Sequence, residues 1–146
     1  PMSARRSAGA HPYLTTPEHT AMARELIGPE AFLAPEHKVV LTTDAEKARA
    51  VGRKGLDIYL NLQNYLNSWK RLGFTDEDLA RPGSNRLVDA VVAYGTPEQI
   101  AARLQEHLDA GADHVPVQVL TSPDKLVGAL AELAGPLGLH RPGTAD

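Results

Sequence analysis

Residues 95–121 decide the fold of this chain; they read Gly-Thr-Pro-Glu-Gln-Ile-Ala-Ala-Arg-Leu-Gln-Glu-His-Leu-Asp-Ala-Gly-Ala-Asp-His-Val-Pro-Val-Gln-Val-Leu-Thr. Thr96 is a natural N-cap, and Pro97 suits the first helical position because the N–H that it lacks would have no partner there. Gln99 completes a capping box with Thr96. An apolar stripe follows at helical spacing, formed by Ile100, Leu104 and Leu108 with Ala101 and Ala112 nearby.

Gly111 supplies the left-handed residue that ends this helix. The chain then alternates through 114–120, with Val115, Val117 and Val119 on one face and Gln118 on the other. This mostly apolar content predicts a strand of a parallel sheet covered by helices. Pro116 removes one ladder donor, so we expect a bulge or a locally unpaired position there.

The rest of the chain repeats this pattern of strand and helix. Short strands are predicted at 9–14 and 37–42, a connection at 30–35, and helices at 17–27, 45–62, 61–72, 75–79, 85–94 and 123–133. Thr16 is the expected N-cap of the first of these helices, and Thr43-Asp44 caps the second. Since no hairpin signal separates the three strands, we expect parallel pairing through right-handed crossovers. A sheet of three strands leaves two unpaired edges, which indicates that the chain is incomplete or self-associates.

Bulk composition narrows the function classes. The chain has 146 residues, a formal net charge of −3 and no cysteine. This predicts one domain, gives no electrostatic signal for nucleic acid or membrane binding, and agrees with a cytoplasmic protein without disulfides. The histidines lack metal-ligand spacing, so no metal site is expected. Neither a P-loop nor a nucleophile-elbow motif occurs.

Five phrases together resemble the luciferase-like monooxygenase superfamily, and more narrowly its oxidoreductases dependent on the deazaflavin coenzyme F420. They are Gly-Ala-His-Pro-Tyr (9–13), Asn-Tyr-Leu-Asn-Ser-Trp (64–69), Leu-Gly-Phe-Thr-Asp-Glu-Asp (72–78), Asp-Ala-Val-Val-Ala-Tyr-Gly-Thr-Pro (89–97) and Asp-Ala-Gly-Ala-Asp-His-Val (109–115). The resemblance covers about residues 5–135.

The resemblance implies an α/β fold, namely the C-terminal portion of a TIM barrel. Residues 9–13, 37–42 and 114–120 would be its strands six to eight. The domain division is then a lead-in at 1–8, a partial barrel at 9–135 with a helical insertion at about 61–94, and a tail at 136–146. It also implies F420, or alternatively FMN, at the C-terminal rim and a small organic substrate. The first five strands are absent, so we do not expect catalysis by this chain alone, and a homo-oligomer or the missing barrel half would complete it.

The C-terminal ends of barrel strands carry function, which selects His11, Tyr13, Thr15, Gln118 and Thr121 as candidate pocket residues. His11 suits proton exchange or hydrogen bonding near a hydride acceptor; alternatively, it hydrogen-bonds a backbone carbonyl. Tyr13 either stacks on a ligand ring or packs at the rim. Gln118 either binds a ligand or is a satisfied structural amide.

A second candidate surface is the helix that carries Asn64, Tyr65 and Trp69. The aromatic side chains suit an interface or a substrate-facing helix. The alternative is a solvated asparagine face with Tyr65 and Trp69 packed beneath it. The catalytic residues themselves are not identified by the sequence.

Overall fold

A computed structural model describes residues 6–139, which form a mixed α/β structure with parallel strands. Their strands are β1 (Gly9–Ala10), β2 (Phe32–Leu33), β3 (His37–Leu41), β4 (Val92–Gly95) and β5 (Val117–Val119). Their helices are α1 (Pro17–Ile27), α2 (Ala45–Leu56), α3 (Gln63–Arg71), α4 (Asp76–Leu79), α5 (Asn85–Val91), α6 (Pro97–Asp109) and α7 (Pro123–Ala134), with a 3-10 turn at Tyr59–Asn61.

The segment at 32–41, which carries β2 and β3, is the centre of the molecule. Its first part, β2, pairs with β1, and an isolated bridge joins Tyr13 to Glu36. Its second part, β3, lies between β4 and β5 in a three-stranded sheet of order β4-β3-β5. Every pair is parallel, as predicted.

Helices cover both faces of this sheet. Val40 and Val92 pack with Leu56 of α2 and Val88 of α5, on what we call the α2 face. On the opposite face, which we call the α6 face, Val39, Ala93 and Val119 pack with Ile100 and Leu104 of α6 and Leu133 of α7. Since β4 and β5 lie on opposite sides of β3, crossovers of one hand must place α2 and α6 on opposite faces.

The helix starts agree with the predicted capping signals. The side chains of Thr16, Asp44 and Thr96 each accept a hydrogen bond from the backbone N–H three residues later. Thr96 and Gln99 form the predicted capping box, and Gly111 has the predicted positive φ, 99°. These local signals therefore predicted the helix starts correctly.

Several predicted boundaries are wrong. Residues 85–94 are not one helix, because the chain passes from α5 to β4 at Val92. The connection at 30–35 contains β2, and α2 ends at Leu56 rather than at 62. The strand predicted at 114–120 is β5, which begins directly after Pro116. The Pro116 carbonyl accepts from His37 N at 2.9 Å, but the ring has no N–H to continue the ladder. A locally unpaired position, one of the two predicted outcomes, is observed.

Two predictions fall partly on residues outside the described range. The lead-in at 1–8 includes residues 1–5, and the tail at 136–146 includes residues 140–146. Within 6–139, no helix is long and apolar enough to cross a membrane.

Candidate functional site

A buried ion pair lies on the α2 face, where the central segment passes between Tyr13 and Gln118 of β5. Lys38 and Glu36 are only 2% and 4% exposed, and Lys38 Nζ donates to Glu36 Oε1 at 3.3 Å. Because side chains alternate along a strand, both point to the face opposite His37 and Val39. Charged side chains are rarely buried without a partner, so this pair is the most unusual chemical feature of the α2 face.

Residues from four other elements surround the pair. Gln118, opposite Lys38 in the β3–β5 register, accepts a short hydrogen bond from Lys38 Nζ. The Tyr13 and Tyr59 ring centroids lie 5.9 and 5.5 Å from Lys38 Nζ, within cation–π range. The Lys38 cluster consists of His11, Tyr13, Glu36, Lys38, Tyr59, Tyr65 and Gln118.

Ring contacts extend the cluster on both sides. His11 packs edge-to-face on Tyr13 with centroids 4.8 Å apart, and its Nδ1 lies 2.5 Å from the Ala34 carbonyl oxygen. A carbonyl can only accept, so Nδ1 carries the proton and donates. Tyr59 packs edge-to-face on Tyr65, also at 4.8 Å, and Tyr65 contacts Trp69 at 5.9 Å. The aromatic rings thus shield the ion pair from water on the side of α3.

Burial and charge act against each other on Glu36. Burial raises the pKa of its carboxyl above the usual value, while Lys38 and, more weakly, His11 oppose that rise. Glu36 Oε2 makes no hydrogen bond to a described residue. The pKa of Tyr65 is also raised, by burial first and then by Tyr59 and the Glu36 carboxylate. The cluster therefore holds one cation, one carboxyl that resists ionisation, and three phenols.

The cluster is open to solvent on one side. Tyr13 is 40% exposed, and His11 and Gln118 are exposed as well. Gln118 and Tyr13 thus lie between the solvent and the Lys38 ammonium. A ligand that displaces the Gln118 amide would meet a positive charge with aromatic walls.

The structure places the predicted site residues as follows. His11, Tyr13 and Gln118 meet in the Lys38 cluster. Tyr65 joins them, and Trp69 lies beneath, fully buried, with its Nε1 donating to the Leu14 carbonyl at 2.9 Å. Asn64 is exposed, which agrees with the solvated asparagine face.

Thr15 and Thr121 lie outside the cluster. Thr15 is buried, and its hydroxyl makes no hydrogen bond to a described residue. Thr121 lies at the opposite, carboxyl end of β5, beside Leu41 and Lys125.

Sequence reasoning missed Glu36, Lys38 and Tyr59. A usable signal was present, because a parallel strand covered on both faces has no solvent-facing side for Lys38. Any charged residue two positions away, here Glu36, then becomes its expected partner.

No protein-family model matches the chain. A search of curated proteins returned no significant match either. The functional argument therefore depends on the cluster itself.

A second cluster of polar side chains is buried on the α6 face, and unlike the first it contains no ion pair. Thr20, His37 and His107 are all 0% exposed and join α1, β3 and α6. Thr20 Oγ1 lies 2.8 Å from His107 Nδ1, and His107 Nε2 lies 3.1 Å from His37 Nδ1. His37 Nε2 has no partner among the described residues.

The imidazoles of His37 and His107 are both neutral near pH 7. Burial, with a smaller contribution from the positive charge of Arg103, lowers the pKa of His37 to about 3 and that of His107 to about 4. A bare Nε2 lone pair costs less than a buried N–H without an acceptor. His37 therefore donates from Nδ1 to His107, and His107 donates to Thr20. This chain of hydrogen bonds is structural, since it has no exposed member.

Proposed function

We propose that this chain is part of an oxidoreductase of the luciferase-like type, which transfers hydride from a deazaflavin (F420), or uses a flavin and oxygen, on a small organic substrate. The observation that carries the proposal is the meeting of His11, Tyr13 and Gln118 over the buried Lys38–Glu36 pair. A cytoplasmic location without disulfides is part of the proposal.

The residues of the cluster fit the edge of a planar redox ring. The exposed Tyr13 and His11 rings offer surfaces for stacking, and the Gln118 amide offers both a donor and an acceptor. The Lys38 ammonium beneath them suits an electron-rich carbonyl edge. When bound, the cofactor supplies the hydride chemistry.

The remaining residues would set the environment of that chemistry. Lys38 would stabilise negative charge on the edge of the cofactor ring. Glu36 Oε1 accepts a hydrogen bond from the Lys38 ammonium and so orients it. Tyr59 and Tyr65 exclude water from the α3 side, which strengthens these electrostatic interactions. His11, which is exposed beside Tyr13, would be the residue that exchanges a proton with the solvent.

The finer fold proposal is that the strands form the C-terminal portion of a TIM barrel. The parallel pairing of β3 with β5 supports it, since these would be strands seven and eight. Residues 9–13 pair with 32–36 rather than with 37–42, and β4, which the barrel assignment does not include, pairs with the other edge of β3. In a closed barrel, however, helices lie only outside. The α2 face would become the barrel interior, so α2 and α5 would have to leave it when the missing strands are supplied.

Titration of the purified chain with F420, and separately with FMN, tests the proposal. We expect saturable quenching of cofactor fluorescence, stronger for F420, and a Kd raised about tenfold by Tyr13→Ala or Gln118→Ala. Gln105→Ala, a change of an exposed glutamine on α6, should leave the Kd unchanged. If neither cofactor binds saturably at millimolar concentration, the proposal is wrong for this chain.

The alternative function is a non-catalytic α/β module that self-associates. The exposed apolar side chains of α7 favour it, because Val127 is 78% exposed and Leu130 is 45% exposed. Dimer formation without any cofactor binding would support this alternative.

A further inference from the structure

An apolar groove of about 490 Å³ runs between α6 and α7, with residues 114–117 as its floor. Leucines line its walls, among them Leu104 and Leu108 on α6 and Leu130 on α7. Asp113 contributes a carboxylate at one end, but that carboxylate already accepts from Arg24 Nη2 at 2.6 Å and from Leu33 N at 2.7 Å. The groove therefore presents almost no free charge.

Large apolar side chains around the groove remain open to solvent. Leu108 is 39% exposed, Leu130 is 45% exposed and Leu139 is 63% exposed. Contiguous apolar surface of this kind on a folded chain marks an interaction site.

The floor of the groove also carries a free strand edge. His37 N donates to the Pro116 carbonyl, and Leu120 N donates to the Val39 carbonyl, both at 2.9 Å. Because backbone groups alternate in direction along a strand, the N–H and C=O of Val117 face away from β3. No strand among residues 6–139 pairs with that side of β5. The groove thus combines apolar walls with unpaired backbone groups.

The opposite edge of the sheet has a different character. Beside β4 lies a groove of about 610 Å³ whose lining includes Asp89, Arg103 and Glu106. If the two edges met head to tail, leucines would be buried against charged side chains, which is unfavourable. The apolar groove carries little charge and therefore matches another copy of itself without repulsion.

We propose that the groove between α6 and α7 binds a second copy of this chain, in a twofold dimer in which the two β5 edges meet. A twofold axis brings the same patch of both copies together and closes the assembly at two subunits. The interaction goes beyond the oxidoreductase proposal and rests only on the self-association alternative. The result of the cofactor titration and the result of the sedimentation experiment described below are therefore independent of each other.

Sedimentation equilibrium across micromolar concentrations tests the proposal. We expect a monomer–dimer equilibrium, and a dimer Kd raised about tenfold or more by Leu108→Lys or Leu130→Lys. Ile58→Lys is the matched control, because Ile58 is another exposed aliphatic residue, 65% exposed, and lies outside the groove. Fluorescence of the single tryptophan, Trp69, verifies that each variant is folded.

Cysteine cross-linking tests the symmetry. The chain has no cysteine, so Val117→Cys introduces a single thiol at the proposed axis. Under mild oxidation it should form a covalent dimer faster than Ile58→Cys does. A wild-type chain that stays monomeric, an equal effect of Ile58→Lys, or equal cross-linking at both positions would each overturn the proposal.

Discussion

Substitution of His107 by leucine should change both the stability of the fold and its dependence on pH. At pH 7, His107→Leu leaves Thr20 and His37 without their hydrogen-bond partner in a fully buried site. Each buried polar group that loses its partner costs about 1–3 kcal/mol, so for the two groups together we expect a loss of roughly 2–6 kcal/mol. Leucine is close to histidine in size, which keeps the cavity small.

The pH dependence follows from the lowered pKa values. The folded chain holds His107 with a pKa of about 4 and His37 with a pKa of about 3, against 6.5 in the unfolded chain. Below pH 6.5 the unfolded chain therefore binds protons that the folded chain does not, and stability falls as the pH falls. Each histidine contributes about 2 kcal/mol of loss between pH 7 and pH 5. His107→Leu lacks one of these losses, so the difference in free energy of unfolding between wild type and the variant should narrow by about 2 kcal/mol from pH 7 to pH 5.

The groups around the two imidazoles determine how cleanly this can be measured. Arg103 and Lys38 add to the depression of the His37 pKa, whereas Glu18 opposes that of His107. Glu36, whose pKa is raised, binds protons in the folded state and works in the opposite direction. Comparing the variant with wild type at each pH cancels the contribution of Glu36, which both chains share.

Urea unfolding followed by Trp69 fluorescence at pH 7, 6 and 5 provides the measurement, since this tryptophan is fully buried. The matched control is His114→Gln, a change of an exposed histidine, studied at one low protein concentration. Its urea midpoint should keep the wild-type dependence on pH. A gap between His107→Leu and wild type that stays constant from pH 7 to pH 5 would refute the burial argument.

Two further predictions concern the α2 face and the edge of the sheet. Lys38→Met leaves the Glu36 carboxyl buried without its cation, so the free energy of unfolding should fall by about 3–5 kcal/mol. In urea unfolding, the double variant Lys38→Met/Glu36→Gln should recover part of this loss. A double variant no more stable than the single one would contradict the pairing. Gly9→Ala would place a Cβ only 1.8 Å from the Phe32 carbonyl oxygen, so it should separate β1 from β2 and speed hydrogen exchange at the Phe32 and Ala34 amides, whereas Gly128→Ala, which has open space, should change neither rate.

The sequence predicted those parts of the fold that depend on neighbouring residues. Thr16, Asp44 and Thr96 start helices through contacts within one turn, so their signal is local and was sufficient. The strand predicted at 37–42 is β3, and its consecutive apolar residues, Val39 to Leu41, are typical of a strand covered on both faces.

β4 was missed for a physical reason. Ser84 caps α5, and the apolar run that follows continues into Val92 without a glycine or proline to mark the change. The helix ends there because Val92 and Tyr94 pair with Lys38 and Val40 of β3, a contact between residues more than fifty positions apart. Pairing of this kind overrides local propensity.

The candidate site was predicted only on its exposed side. His11, Tyr13 and Gln118 were selected from their positions after or within strands, but the charges beneath them were not. Lysine and glutamate usually face the solvent, and Lys38 and Glu36 are buried only because elements pack on both faces of the sheet. Tyr59 reaches the cluster from a 3-10 turn that no sequence pattern indicated.

The energetics of the ion pair favour a role beyond stability. Burying two opposite charges often gains nothing over well-packed apolar residues, because the desolvation penalty can exceed the attraction. Apolar packing is possible in the same strand, since Val39, the neighbour of Lys38, packs against apolar side chains on the α6 face. On the α2 face the chain instead keeps an ammonium and a carboxyl whose second oxygen has no described partner. It also leaves Gln118 and Tyr13 exposed above the ammonium. A pair with a purely structural role would need neither the exposed amide nor the exposed ring, so the side of Gln118 is where ligand binding should be sought first.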